Sequence, residues 1–231
     1  MPSDPPPRCA ACAAHGVALC GALDRRQIVA LNHIGRRRRL AAGQALGWAG
    51  DPAATCANLV SGVLKVLRGE PDGRVQIVGL LYPGDFAGIL FAERSPDTIV
   101  ALNDADLCVY PRGALEALLI DQPAIGRLLL RRSWAKLTEA RRWMAILACG
   151  RAEARVAALL IDMAQRCEAD AQGLFRSPLS RGAMAEALGL AIETVSRHMT
   201  EFDQQGLIAT SGPHRLRLID PVRLAAIAGC S

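Results

Sequence analysis

The stretch from Ser180 to Met199 reads SRGAMAEALGLAIETVSRHM, and it decides the architecture of the C-terminal part of the chain. Two short runs of helix formers meet at Gly189, a residue suited to the reversal between two crossing helices. Ala185 is small where such helices approach each other, and Met184, Leu188, Val195 and Met199 supply apolar contacts that fix their angle. Farther on, the apolar runs Gly206 to Ile208 and Arg215 to Ile219 are separated by a Gly-Pro turn, the pattern of a β-hairpin wing. Glu193, Ser196 and Arg197 are spaced i, i+3, i+4, so they project from one face at the start of the second helix. Arg can clamp guanine O6 and N7, Glu can accept from cytosine N4, and Ser can bond a base or a phosphate. The plainer alternative is a solvated face with a Glu193 to Arg197 ion pair; the surrounding small-residue, Gly and apolar pattern favours base reading.

Charge supports this only locally. The chain carries 27 basic and 22 acidic side chains, but residues 151–231 hold equal numbers of each. Attraction to phosphate must therefore come from the placement of particular arginines.

Upstream, residues 114–149 are rich in helix formers, interrupted by Pro123 and Gly126. Leu130, Ser133, Leu137, Ala140, Met144 and Leu147 alternate at spacings of three and four, as an a/d seam requires. Arginines and Lys136 lie off that stripe, so it suits pairing with a second copy as well as burial within one chain. From Leu40 to Tyr110, short apolar runs alternate with Gly, Pro and Asp turns, which indicates an all-β roll or barrel. A short helix is expected near Leu23 to Leu31. The Arg36 to Arg39 run reads as a solvated face.

Residues 1–22 are rich in Pro, Ala and Cys without periodicity and read as an irregular arm. The N-terminus MPSDPPPRC lacks the apolar segment of a secretory signal, and no uncharged apolar run reaches the length of a membrane span. The expected location is the cytoplasm, where cysteines are reduced and serve metal, cluster or redox chemistry more than disulfides.

With these motifs in place, the chain resembles the family of the cyclic-AMP receptor protein and the fumarate-and-nitrate-reduction (FNR) regulator over nearly its whole length. Gly43 to Leu46 with Gly50-Asp51, Ser61 to Lys65, and Pro83 to Phe86 are similar to the family's β-roll turns. Ile192 to Arg197 is similar to the E-x-x-S-R recognition helix of the FNR branch, which implies an operator of two facing TTGAT-type half-sites. The implied fold is α+β, in four parts. These are a cysteine-containing arm (1–22), a β-roll of the double-stranded β-helix, cupin-like kind (23–113), a dimerisation helix region (114–149) and a winged helix-turn-helix (150–231). The resemblance also implies double-stranded DNA, a second copy of the chain and RNA polymerase as partners, and no enzymatic activity.

The sensor follows from other residues. The turn after Phe86 has Gly88 without the Glu of the family's phosphate cassette, and Arg94-Ser95 stands close after it, so a cyclic nucleotide is the less favoured ligand. Cys9-x2-Cys12-x7-Cys20 places three thiols on the arm, and Cys108 lies in the strand at the position resembling the family's fourth ligand. The resemblance implies a [4Fe-4S] cluster on Cys9, Cys12, Cys20 and Cys108 and a response to oxygen. From the residues alone a C-x2-C is also compatible with a zinc half-site, a redox dithiol or two ordinary thiols. A C-x2-C oxidoreductase would use a strand-then-helix setting that the arm lacks. Cys56, Cys149, Cys167 and Cys230 read as structural, and His15 as a solvated residue that can replace a ligand.

Overall fold

Two four-stranded antiparallel sheets form the first half of the protein, ordered β1-β8-β3-β6 and β2-β7-β4-β5. The strands are β1 (Arg36–Leu40), β2 (Ala45–Gly47), β3 (Thr55–Ser61), β4 (Leu64–Gly69), β5 (Val75–Leu81), β6 (Phe86–Ala87), β7 (Thr98–Ala101) and β8 (Ala105–Pro111). This computed structural model describes residues 9, 12–14, 16–69, 75–212 and 214–229. The chain divides into two compact units, Met1–Leu137 and Thr138–Ser231.

In the first unit, the inward faces of the two sheets meet over a core that includes Leu40, Leu59, Leu64, Leu107 and Val109. Strand β3 is buried on both faces, unlike a strand with one solvated side. Ala57 and Leu59 join the core between the sheets, whereas Cys56 joins a second layer on the outside of the first sheet. That layer consists of Leu19, Leu31, Cys56, Tyr110, Leu115, Leu119, Ile125 and Leu129, contributed largely by helices α1 (Arg25–Ile34), α2 (Arg112–Asp121) and the start of α3 (Pro123–Ala148). Helix α1 begins at a reciprocal cap, in which the Asp24 carboxylate accepts from Gln27 N (2.9 Å) and the Gln27 side chain accepts from Asp24 N (3.0 Å). Such a cap contributes about 1 kcal/mol and fixes where α1 starts.

The expectations for this half need three adjustments. The arginine run is solvent-facing, but it forms an edge strand, β1, paired with β8; charged side chains on an edge discourage pairing with other chains. Gly126 does not interrupt the helical region, because it sits in the first turn of the 26-residue α3, and only Pro123 marks a break, as that helix's first residue. The early helix runs three residues farther than Leu31, to Ile34.

The second unit contains the end of α3, then α4 (Ala152–Arg166), β9 (Phe175–Arg176), α5 (Arg181–Leu188), α6 (Ile192–Gln204), β10 (Ile208–Ser211), β11 (Arg215–Leu218) and α7 (Pro221–Ala228). Its core packs Leu160, Met163, Leu188, Val195, Phe202 and Leu224, all at most 1% exposed. Asp162, buried in α4, accepts from Arg142 (2.6 Å) and Arg166 (3.1 Å), so its charge is paired inside the unit. The wing is three-stranded, in the order β10-β11-β9, because Phe175–Arg176 pairs with β11 as a strand beyond the expected hairpin. Among the described residues, no helix is long and apolar enough to cross a membrane.

A cysteine-lined pocket and a candidate DNA-reading helix

Ala14 and Ala18 of the arm pack against Val60 of β3, with Cys12 and Cys108 alongside. Backbone bonds from Val17 N (3.1 Å) and Ala18 N (2.7 Å) to Ala14 O fold the arm into a tight turn. A 3-10 turn at Leu19–Ala22 then carries Cys20. The arm approaches the sheet closely because Gly84 allows it: Gly84 has φ +96°, and a Cβ there would lie 2.9 Å from Val17 O. Arg132 of α3 holds the same place by donating to Ala18 O (2.7 Å) and Gly84 O (3.1 Å), while Lys136 pairs with Asp85 at 2.6 Å.

Cys9, Cys12, Cys20 and Cys108 all line one pocket here, with Ile28, Leu31 and Val60 among its apolar walls. All four are thiols. Their proximity is chemical as well as spatial. Burial, followed by the neighbouring Cys108, Cys9 and Cys12, pushes the Cys20 thiol up to about 11. Thiolates crowded in this way need a cation among them, and a bound metal displaces their protons. Among the described residues no three Cys, His, Asp or Glu side chains meet closely enough to hold a single metal ion. The four cysteines line a shared pocket, Cys9, Cys12 and Cys20 from the arm and Cys108 from β8, and an all-thiol donor set of this kind fits an iron–sulfur cluster.

Two further thiols do not line the pocket: Cys56 emerges on the same outer face of β3, with its thiol 3.4 Å from Ile89 O, and Cys167 caps the end of α4 in the second unit. Cys149, expected to be reduced, is disulfide-bonded. His15 and Cys230 lie outside the described residues. Asn58, Tyr110 and Asn32 also line the pocket, with Asn32 Oδ1 3.6 Å from Cys9 Sγ. None of the three was singled out from the sequence; the signal for Asn58 was a polar residue inside the apolar run Cys56 to Val60.

The residues suggested for a cyclic-nucleotide phosphate are engaged elsewhere. Arg94 donates to Gly50 O and Ser95 donates to Asp97 O (2.7 Å).

In the second unit, Ser180 caps α5 by accepting from Ala183 N (3.2 Å), and the helix ends at Gly189 in the left-handed region, φ +60°. Val195, Met199 and Phe202 bury one face of α6. Glu193 and Arg197 are exposed and Ser196 is half-buried, so the three lie on or beside its solvent face. Arg197 pairs with Glu201 at 3.8 Å, one turn farther along the helix, whereas Glu193, the ion-pair partner of the plainer alternative, lies one turn before Arg197 at the leading end of the helix. In the wing, Arg215 pairs with Asp170 at 3.0 Å.

A β-roll, a long helix and a winged helix-turn-helix in this order define a class of DNA-binding transcription regulators. Residues 154–227 match the Crp-like helix-turn-helix domain and residues 37–122 the cyclic nucleotide-binding domain. The chain is 38% identical over 205 residues to a probable transcriptional activator of Rhizobium leguminosarum bv. viciae, covering 88% of this chain and 85% of the relative. It is 33% identical over 228 residues to the transcriptional activator protein FnrL of Cereibacter sphaeroides, covering 96% and 92%. The structure of FixK2 from Bradyrhizobium japonicum superposes with a TM-score of 0.79 at 25% identity, covering 86% of this chain and 99% of that one. The chain belongs to the CRP/FNR family of transcription regulators; its relatives are transcriptional activators and not enzymes.

Proposed function

We propose that this chain is an oxygen-responsive regulator of the FNR type, a cytoplasmic homodimer that binds a TTGAT-like palindromic operator and acts on RNA polymerase. The observation that carries the reading is the convergence of Cys9, Cys12, Cys20 and Cys108 on one pocket. Those four thiolates would hold a [4Fe-4S] cluster, which supplies an oxygen-sensitive tie between the arm and β8.

The chain's own residues relate that tie to DNA. With its thiols fixed, the arm presents Ala18 O to Arg132, so the arm and α3 are joined by a charge-assisted hydrogen bond. On α3, Leu130 (69% exposed), Leu137 (42%) and Met144 (69%) form the apolar stripe that would pair with a second copy. Pairing would set two α6 helices about 34 Å apart, one turn of DNA. Arg197 and Glu193 would read base edges, with Ser196 beside them. For oxygen to matter, the tied arm must stabilise the DNA-competent dimer more than other states, since equal stabilisation would shift nothing.

Purification under strict anaerobiosis, followed by absorption spectroscopy and iron and sulfide analysis, tests the reading. About four irons and four sulfides per chain are expected, with a broad visible band that bleaches in air. Stoichiometric zinc, or no metal with the thiols intact, contradicts it.

A further inference from the structure

Building on the cluster reading, we propose that Asn58 and Tyr110 are positioning residues that donate hydrogen bonds to two of the four thiolates, Cys20 and Cys108, and so set the electron density on those sulfurs. The strand register places them there. Asn58 of β3 lies directly opposite Cys108 of β8, and Tyr110 is two residues along the same strand, so all three side chains emerge on the outer face of the first sheet. Both are 1% exposed, and both line the cysteine pocket.

Asn58 Nδ2 stands 3.1 Å from the Tyr110 hydroxyl and 4.0 Å from Cys20 Sγ. An amide nitrogen has two hydrogens, enough for both contacts. The Tyr110 oxygen, accepting from Asn58, keeps its own hydrogen for Cys108, which emerges two residues away on the same face of β8 and lines the same pocket. The polar hydrogens of this pair are thus available to sulfur or to the hydroxyl that serves sulfur. With the amide turned the other way, Oδ1 would face the Cys20 sulfur and compete with Cys108 for the tyrosine hydrogen, setting acceptor against acceptor wherever the sulfurs are thiolates. In the arrangement seen, Asn58 Oδ1 is buried without a hydrogen-bond partner. A strand that leaves a buried carbonyl unsatisfied in order to aim an amide nitrogen at a thiol is shaped for thiolate ligands.

Hydrogen bonds to ligand sulfur withdraw electron density from it and raise the potential of a cluster. The test compares anaerobically reconstituted wild-type protein with Tyr110→Phe and Asn58→Leu, which remove the hydroxyl and the amide. Cys56→Ala, on the same face of β3 but outside the pocket, is the control. In both donor variants iron and sulfide should stay at the wild-type level, the sulfur-to-iron absorption band should move to longer wavelength and the midpoint potential should fall. Bleaching in air should be roughly threefold faster or more. Cys56→Ala should match wild type in each measurement. Should Asn58→Leu fail to fold, Tyr110→Phe decides. Full loading with unchanged band, potential and bleaching rate in Tyr110→Phe would overturn the donor role and leave the cluster reading standing. A wild-type chain that takes up no iron would bring down both.

Discussion

Arg197 and Glu193 carry opposite charges on the exposed face of one helix, and their substitutions should separate base reading from phosphate attraction. Arg197 has a guanidinium exposed enough to leave Glu201 for a guanine edge, so Arg197→Ala should cost about 1 to 3 kcal/mol of operator binding, concentrated at one base pair of each half-site. Glu193→Ala removes an anion near the backbone; binding to random DNA should hold or tighten while discrimination at its base pair declines. Fluorescence anisotropy on single-base operator variants at several salt concentrations measures both. Uniform loss across all variants would make Arg197 a phosphate contact. The thiols divide as sharply. Cys108→Ser should abolish or severely reduce iron content under anaerobic reconstitution, whereas Cys167→Ser, in the other unit, should not; full loading of Cys108→Ser would remove it from the ligand set. At this scale the sequence was informative about the chemistry-bearing side chains, because thiol spacing and the i, i+3, i+4 trio are local. It was silent on Arg132, whose partners are backbone carbonyls 114 and 48 positions away in the chain, and on Asn58, whose role depends on strand register.

Helix α3 shows what an element adds. Its a/d spacing was legible because the pattern runs through four turns, yet spacing alone left open whether the stripe faces the chain's own core. The structure buries Ile125 and Leu129 near the start of the helix and leaves Leu130, Leu137 and Met144 exposed. Leu137→Glu should therefore yield monomers at concentrations where wild type is dimeric, with the far-ultraviolet circular dichroism unchanged, since the side chain is exposed within one chain and lies outside its buried cores. Sedimentation that still reports a dimer would place the pairing surface elsewhere. Strand β1 was not legible for the opposite reason. Four consecutive arginines carry no alternation, and pairing with β8 is imposed by the sheet and not by local preference. Helix α7 had a usable signal, Asp220 followed by Pro221, and the Asp220 side chain indeed caps it by accepting from Arg223 N.

For the whole molecule, the proposed function requires that the state of four thiols in the first unit bear on the candidate recognition helix in the second. Helix α3 is the continuous element that runs through the division between the units, and Arg132 joins it to the arm. Family architecture was readable from end to end because each part announces itself in a local motif; the relation between sensing and DNA binding was not, because it is a difference between states of the assembled protein. The decisive measurement is operator affinity of a single anaerobic preparation on a TTGAT-type palindrome, taken before and after exposure to air and again after anaerobic reconstitution. Affinity should fall about tenfold or more in air and return on reconstitution; unchanged affinity in air, with the visible absorption band lost, would contradict the account.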